Sequence, residues 1–502
     1  MSRAPRVLVV GFDAADGQVL LDLARQGGAP GVRSLVDQGV TAPVENPPGL
    51  FVGAVWPSFS TGTGPGAHSR YCYAQLRPGT YEAHPFPATA VSGEPFWSAL
   101  ARGGHRCCVV DVPHSFVGTG FDGTQIVDWG RHDPNVGFQT WPPELGAGIL
   151  DRFGPHPVDQ CDPYARAGRL GALRRDLLSG IDRKAALAEH LLDQDDWSLF
   201  LVVFSESHCA GHACWALHDP DHPRHDPRHA AELGDPLLDV YAALDAALRR
   251  VLAHAGDATL VVLLLSHGMG PHYDGNFLLD DILVRIDAAH RPSGGAFRRR
   301  HELRRFTQRA VRSGRRRLRL PAPARAPFDR TRSFFQIPNN DVYGGIRVNV
   351  VGREPAGRVH PGPELDAACD LLSEELGRWT NLETGEALVR RVLRTTDLYH
   401  GPGTAGMPDL LVEWNRERTI RSVAAPGRGR ITREWHGART GDHRPGGMLF
   451  ARGPGIHRAA THPPVRTVDL APTICAALDT PLGHTDGQPV AALTGPARAA
   501  SR

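Results

Sequence analysis

Leu199-Phe200-Leu201-Val202-Val203-Phe204, running directly into Ser205-Glu206-Ser207-His208-Cys209-Ala210-Gly211-His212, is the stretch on which the fold turns. Six consecutive apolar residues read as a strand buried on both faces, as in a parallel sheet. Helical spacing after it puts His208 and His212, at i and i+4, on one face. Open α/β sheets carry their active sites at the carboxyl ends of strands, which is where this pair falls. Two imidazoles so placed can grip one metal ion, although a pair of polar surface histidines has the same spacing. The pair is not isolated: Ser266-His267-Gly268-Met269 follows a second apolar run, and Gly441-Asp442-His443 precedes a third.

Outward from this stretch, strand-like runs at Val7 to Phe12, His105 to Val112, Thr259 to Leu265, Asp409 to Trp414 and Met448 to Ala451 alternate with helical patterns. In Asp235 to Ala255, for example, Leu237, Leu238, Tyr241, Leu244, Leu248 and Val251 form a stripe of period 3.6. The alternation predicts an α/β fold, an α/β/α sandwich around a mainly parallel sheet, with inserted cap segments. One domain over residues 1–502 is expected, with insertions at about 77–180, rich in Pro and Gly, and at 294–340, rich in Arg.

At 502 residues and 41% hydrophobic content the chain can bury a large core, and a formal net charge of +2 implies no general polyanion partner. The first strand begins almost at Met1 with no basic leader before it, and no run approaches the ~18 apolar residues of a membrane span. A soluble, cytoplasmic protein that does not engage the membrane is the expectation. Its eight cysteines lack paired metal-type spacing, so reduced, mostly buried thiols are expected. Arg298-Arg299-Arg300, Arg304-Arg305 and Arg315-Arg316-Arg317 read as a solvated basic helix and loop; a lid attracting an anionic substrate is the sharper alternative. No aromatic interleaving or nucleic-acid fold signature accompanies them, so specific nucleic-acid binding is not expected.

Asp13 ends the first strand, where a carboxylate can bind a cation or simply cap a helix. With His208, His212, His267 and His443 it makes five potential ligands at the predicted strand ends, which convergence on a metal centre explains better than five separate structural roles. Imidazole-rich ligation suits one or two divalent ions, zinc, iron or manganese. His272 and Asp274 can form a proton-transfer pair near His267, or be ordinary turn residues. Glu206 can orient a ligand as a hydrogen-bond acceptor.

The ordered set of motifs resembles the alkaline phosphatase superfamily, in its type I phosphodiesterase/nucleotide pyrophosphatase branch. It comprises Val9 to Asp13, Trp56 to Gly62 with Pro65 to His68, Glu206 to His212, Ser266 to Met269, Gly344 to Asn349 with Gly352 to Glu354, Pro408 to Leu410, Gly441 to His443 and Asp469 to Thr473. The resemblance implies two metal sites, one falling on His208, His212 and His443 and the other on Asp13, Ser266 and His267. Two carboxylate ligands of the family have then become His208 and Ser266, which favours a different metal, one metal or a weaker second site. The family's nucleophile position falls on Val52, which has no nucleophilic atom; Ser58 and Ser60 are the nearby hydroxyls, and Ser58 reads more readily as a residue near a helix start, beside Pro57.

These readings converge on a metal-dependent hydrolase of a phosphodiester or related phosphorylated, anionic small molecule. Metal-activated water would attack directly, since a bound divalent ion lowers the pKa of water to about 7. The alternatives are a non-hydrolytic metalloenzyme of lyase or mutase type on the same scaffold and a degenerate metal- or anion-binding protein.

Overall fold

Alternate residues of the strand Val7–Phe12 face different hydrophobic layers, as the two-residue period of a strand requires. Leu8, Val10 and Phe12 pack with Phe200, Val202, Phe204, Val261, Leu263 and Leu265 in one layer. Val7 and Val9 pack with Leu199, Leu201, Val203, Leu260, Val262 and Leu264 in the other. A sheet apolar on both faces needs helices on both. Leu170–Gln194 and Pro236–Leu252 cover the first, and Phe51–Thr61, Phe96–Arg102 and Thr467–Ala477 cover the second. The result is the expected α/β sandwich with a mainly parallel centre.

The structure, a computed structural model, describes residues 6–494 apart from 119, 131–135, 159, 161, 292–293, 300–302, 304–329 and 341. Most of the arginine-rich segment, including Arg300, Arg304, Arg305 and Arg315 to Arg317, therefore lies outside the described residues. The chain divides into two compact units: Met1–Arg70, Pro87–His272 and Gly437–Arg502 form one, and Tyr71–Phe86 and Tyr273–His436 the other.

In the first unit the strand order runs Ala460–Thr461, Val40–Glu45, Gly447–Arg452, Leu260–Leu265, Val7–Phe12, Leu199–Phe204, Cys107–Val110, Gly123–Val127, Gln139–Trp141. The five strands from Leu260–Leu265 to Gly123–Val127 are parallel. Gly447–Arg452 runs antiparallel to both of its neighbours. The stretch 77–180, expected as an insertion, supplies three of these strands, because Cys107–Val110 is fully buried and pairs with Leu199–Val202. The helix expected over 235–255 spans Pro236–Leu252, and Asp235 caps it by accepting from the Leu237 and Leu238 N–H groups.

The second unit is built on a four-stranded antiparallel sheet, Phe334–Ile337, Tyr343–Val348, Leu410–Trp414 and Val389–Arg394. Leu410–Trp414, expected in the main sheet, is thus a strand of this one. Two ion pairs tie it together, one buried and one half-buried: Arg347 Nε lies 2.8 Å from Glu354 and Arg353 Nη1 2.7 Å from Asp409. Among the described residues no helix is long and apolar enough to cross a membrane, and seven cysteines are free thiols.

Candidate metal centre

Strand register assembles the site. Phe12 stands opposite both Phe204 and Leu265, so three central strands end level. The residues that follow, Asp13, Ser205-Glu206 and Ser266-His267, emerge together at the carboxyl edge of the sheet. Backbone bonds extend the ladder one step further, from Asp13 N to Phe204 O at 2.9 Å and from Ser266 N to Phe12 O at 3.3 Å. Helix Glu206–His218 starts at once and presents His208 and His212 on one face. His443 arrives on the strand Gly441–Arg444, which pairs antiparallel with Gly268–Pro271 so that His443 stands opposite Met269. That strand can lie so close to the helix only because residue 441 is glycine: a Cβ there would sit 2.1 Å from the Gly211 carbonyl oxygen.

Hydrogen-bond partners determine which imidazole nitrogens carry protons. His208 Nδ1 lies 2.8 Å from Asp13 Oδ2 and His212 Nδ1 lies 2.9 Å from the Gly441 carbonyl. Both acceptors lack protons, so each ring donates from Nδ1 and keeps a lone pair on Nε2. Those two Nε2 atoms face each other at 3.0 Å. Ser266 Oγ donates to Asp13 Oδ1 at 3.0 Å, and therefore accepts from Ala14 N at 3.1 Å and from His267 Nδ1 at 3.0 Å. His267 Nε2 is then an acceptor, and His443 Nδ1, 2.9 Å away, donates to it. One ring nitrogen from each of His208, His212 and His443 lies within 4.8 Å of the other two. Nitrogen lone pairs that converge in this way repel one another, and a cation resolves the repulsion, so this donor set fits a metal ion.

Electrostatics keep His267 and His443 neutral and the Asp13 carboxylate charged. Burial lowers His267 to a pKa of about 4, with Asp13 opposing it in part. Burial and then the surrounding His212, His267 and His208 rings hold His443 well below the ordinary histidine value. Burial would raise Asp13, but His208, His267 and the Trp56 indole N–H, 2.7 Å from Oδ1, outweigh it and hold the carboxyl well below the usual carboxylate range.

The remaining sequence candidates have their own surroundings. Val52 is the second residue of helix Phe51–Thr61, whose Phe51 ring stands edge-on to His267 with centroids 5.6 Å apart. Ser58, fully buried, lies 2.9 Å from His68 Nε2. Because His68 Nδ1 accepts from the Arg70 N–H at 3.2 Å, its proton sits on Nε2 and is donated to Ser58. Burial, with Arg70 nearby, lowers His68 to a pKa of about 3. That arrangement supplies no base for a serine nucleophile. Ser60 donates to Pro57 O within its own helix. His272 Nε2 lies 3.6 Å from Asp442 Oδ2, and Asp274 accepts from the Asn276 N–H at the start of a helix. Glu206 turns away from the histidines: its Oε1 takes a hydrogen bond from His156 at 2.9 Å and lies 3.6 Å from Lys184 Nζ. Lys184 also reaches Asp111 at 3.0 Å and the Val203 carbonyl at 3.2 Å, so one buried ammonium joins two strand ends to the start of the histidine-bearing helix.

The Gly441 carbonyl and Arg439, whose Nη1 lies 3.3 Å from His212 Nε2, went unread in the sequence. A carbonyl leaves no mark in a sequence, and Arg439 is one arginine among many.

Comparison with known proteins agrees with the fold. Murine ectonucleotide pyrophosphatase/phosphodiesterase 5 aligns over 96% of this chain and 97% of its own at 13% identity, with a TM-score of 0.52. An inactive variant of that protein in complex with AMP aligns with a TM-score of 0.53 at 13% identity, over 96% of this chain and 97% of its own. Phosphonoacetate hydrolase from Sinorhizobium meliloti 1021, in complex with phosphonoacetate, aligns over 94% of each chain at 12% identity, with a TM-score of 0.55. At these identities the likeness is one of fold. No curated protein matches in sequence. The family described as type I phosphodiesterase / nucleotide pyrophosphatase matches residues 7–329, well over half of the chain, and the protein belongs to that family.

Proposed function

We propose that this protein is a metal-dependent hydrolase of phosphoesters in which His208, His212 and His443 hold a single divalent cation. One observation carries the reading: the Nε2 lone pairs of His208 and His212 face each other at 3.0 Å while the other nitrogen of each ring is anchored. Asp13, the Gly441 carbonyl and His267 are the three anchors, one per ring, as outer-shell acceptors fix metal-binding histidines elsewhere. On this reading Asp13, Ser266 and His267 orient ligands instead of forming a second site. When bound, the cation supplies Lewis-acid polarisation of a phosphoryl oxygen and activates water.

The chain's own residues favour direct attack by water. Val52 has no nucleophilic atom, and the Ser58 hydroxyl receives a proton from His68 instead of giving one up. Water oxygen then bonds to phosphorus and gives up a proton, the ester P–O bond breaks, and the leaving oxygen takes up a proton in its place. AMP and phosphonoacetate, the small anions bound by the structural neighbours, support an anionic substrate for this site.

The test is metal analysis of protein purified without added metal, followed by phosphodiester, phosphomonoester, sulfate and phosphonate substrates. Hydrolysis of a phosphorus ester in proportion to bound metal is expected. Bound metal with no turnover of any substrate contradicts the hydrolase reading, and absence of metal contradicts the centre itself.

A further inference from the structure

Asp162 grips the guanidinium of Arg439. Nε lies 2.9 Å from Oδ1 and Nη2 3.3 Å from Oδ2, which turns Nη1 toward His212 Nε2, 3.3 Å away. The two side chains are 29% and 31% exposed. Ion pairs of that exposure contribute little to stability. A fixed guanidinium at the rim of a cation site is instead suited to recognition.

His212 Nε2 has one lone pair, because its Nδ1 proton goes to the Gly441 carbonyl. The lone pair can serve a cation or the Arg439 N–H, but not both. Once a cation takes it, Nη1 faces the space beside that cation. Two positive charges there call for an anionic oxygen, and the guanidinium fork matches phosphoryl geometry. Resting on the metal-dependent reading above, we propose that Arg439 receives a non-bridging oxyanion of the phosphoryl group at the histidine centre, and that Asp162 is the residue that positions it. Phosphoryl groups with a free terminal oxyanion are therefore selected over neutral esters.

Inorganic phosphate is the probe, titrated calorimetrically into zinc-treated wild type, Arg439→Gln, Arg439→Lys and Asp162→Asn, with the metal content of each measured by mass spectrometry. Arg439→Gln should keep its metal and bind phosphate about 10–100-fold more weakly, the loss expected for one charge-assisted contact. Arg439→Lys should fall between it and wild type, and Asp162→Asn should lose less, roughly 3–10-fold, since the guanidinium remains but is less well held. Equal phosphate affinity in wild type and Arg439→Gln at equal metal content overturns the proposal. So does loss of metal from Arg439→Gln, which makes Arg439 part of the cation site. If wild type takes up no metal, the hydrolase reading fails separately: phosphate binding that still depends on Arg439 supports the guanidinium's role, and binding that is absent or independent of Arg439 overturns it.

Discussion

At the scale of single residues, the centre is a matter of where protons sit. Asp13 draws the proton of His208 to Nδ1 and leaves Nε2 as the donor atom. Replacing Asp13 by Asn removes the charge that strengthens this donor but leaves its shape, so metal affinity measured by chelator competition should fall about 10–100-fold. Complete loss of metal from a folded Asp13→Asn protein would instead mark Asp13 as a direct ligand. His68 offers a separate test, away from the metal. Its pKa is about 3 in the folded chain against an ordinary value of 6.5. Between those values the unfolded chain binds one proton more than the folded chain, so stability rises with pH through this window and levels off above it. His68→Gln should flatten the slope of unfolding free energy against pH by up to about 1.4 kcal/mol per pH unit; an unchanged slope would show that His68 is protonated when folded. Asp13, His208, His212, Ser266, His267 and His443 were legible in the sequence because each stands just past an apolar run or in a motif with fixed order. The Ser58 partnership was not, since the ten-residue step to His68 and the burial of both arise only from packing.

At the scale of elements, one buried ammonium holds the ends of two strands to the helix that carries the paired histidines. Lys184 is fully buried between Asp111 and Glu206, and although burial works against its charge, those carboxylates keep its pKa above the ordinary lysine value. Lys184→Met would leave two carboxylates buried without their cation, and urea denaturation should show a loss of about 3–5 kcal/mol. A loss below about 1 kcal/mol, the worth of an exposed pair, would show that water or rearrangement replaces the ammonium. The central strands could be read directly because burial on both faces makes their sequences continuously apolar. Direction and sheet membership could not: an apolar run reads the same whether it pairs parallel or antiparallel. That is why Gly447–Arg452 proved antiparallel to its neighbours and Leu410–Trp414 belongs to the second unit.

At the scale of the whole molecule, the family fold is kept, while this chain has Val52 where the family resemblance places a nucleophile and histidine and serine where it places two carboxylates. If water attacks directly, hydrolysis of a chiral phosphodiester in isotope-labelled water should invert configuration at phosphorus, and Ser58→Ala should keep turnover within a few-fold of wild type. Retention of configuration, or a loss of orders of magnitude in Ser58→Ala, would restore a covalent route. The central claim is narrower: one cation, three histidines. Anomalous diffraction from crystals grown with a slight excess of zinc, manganese or iron tests it most directly. One peak per chain is predicted, bonded to His208, His212 and His443 at about 2.0–2.2 Å, with Asp13 on His208 Nδ1 and not on the metal. A second peak ligated by Asp13 and His267, or no peak among the three histidines, would contradict it.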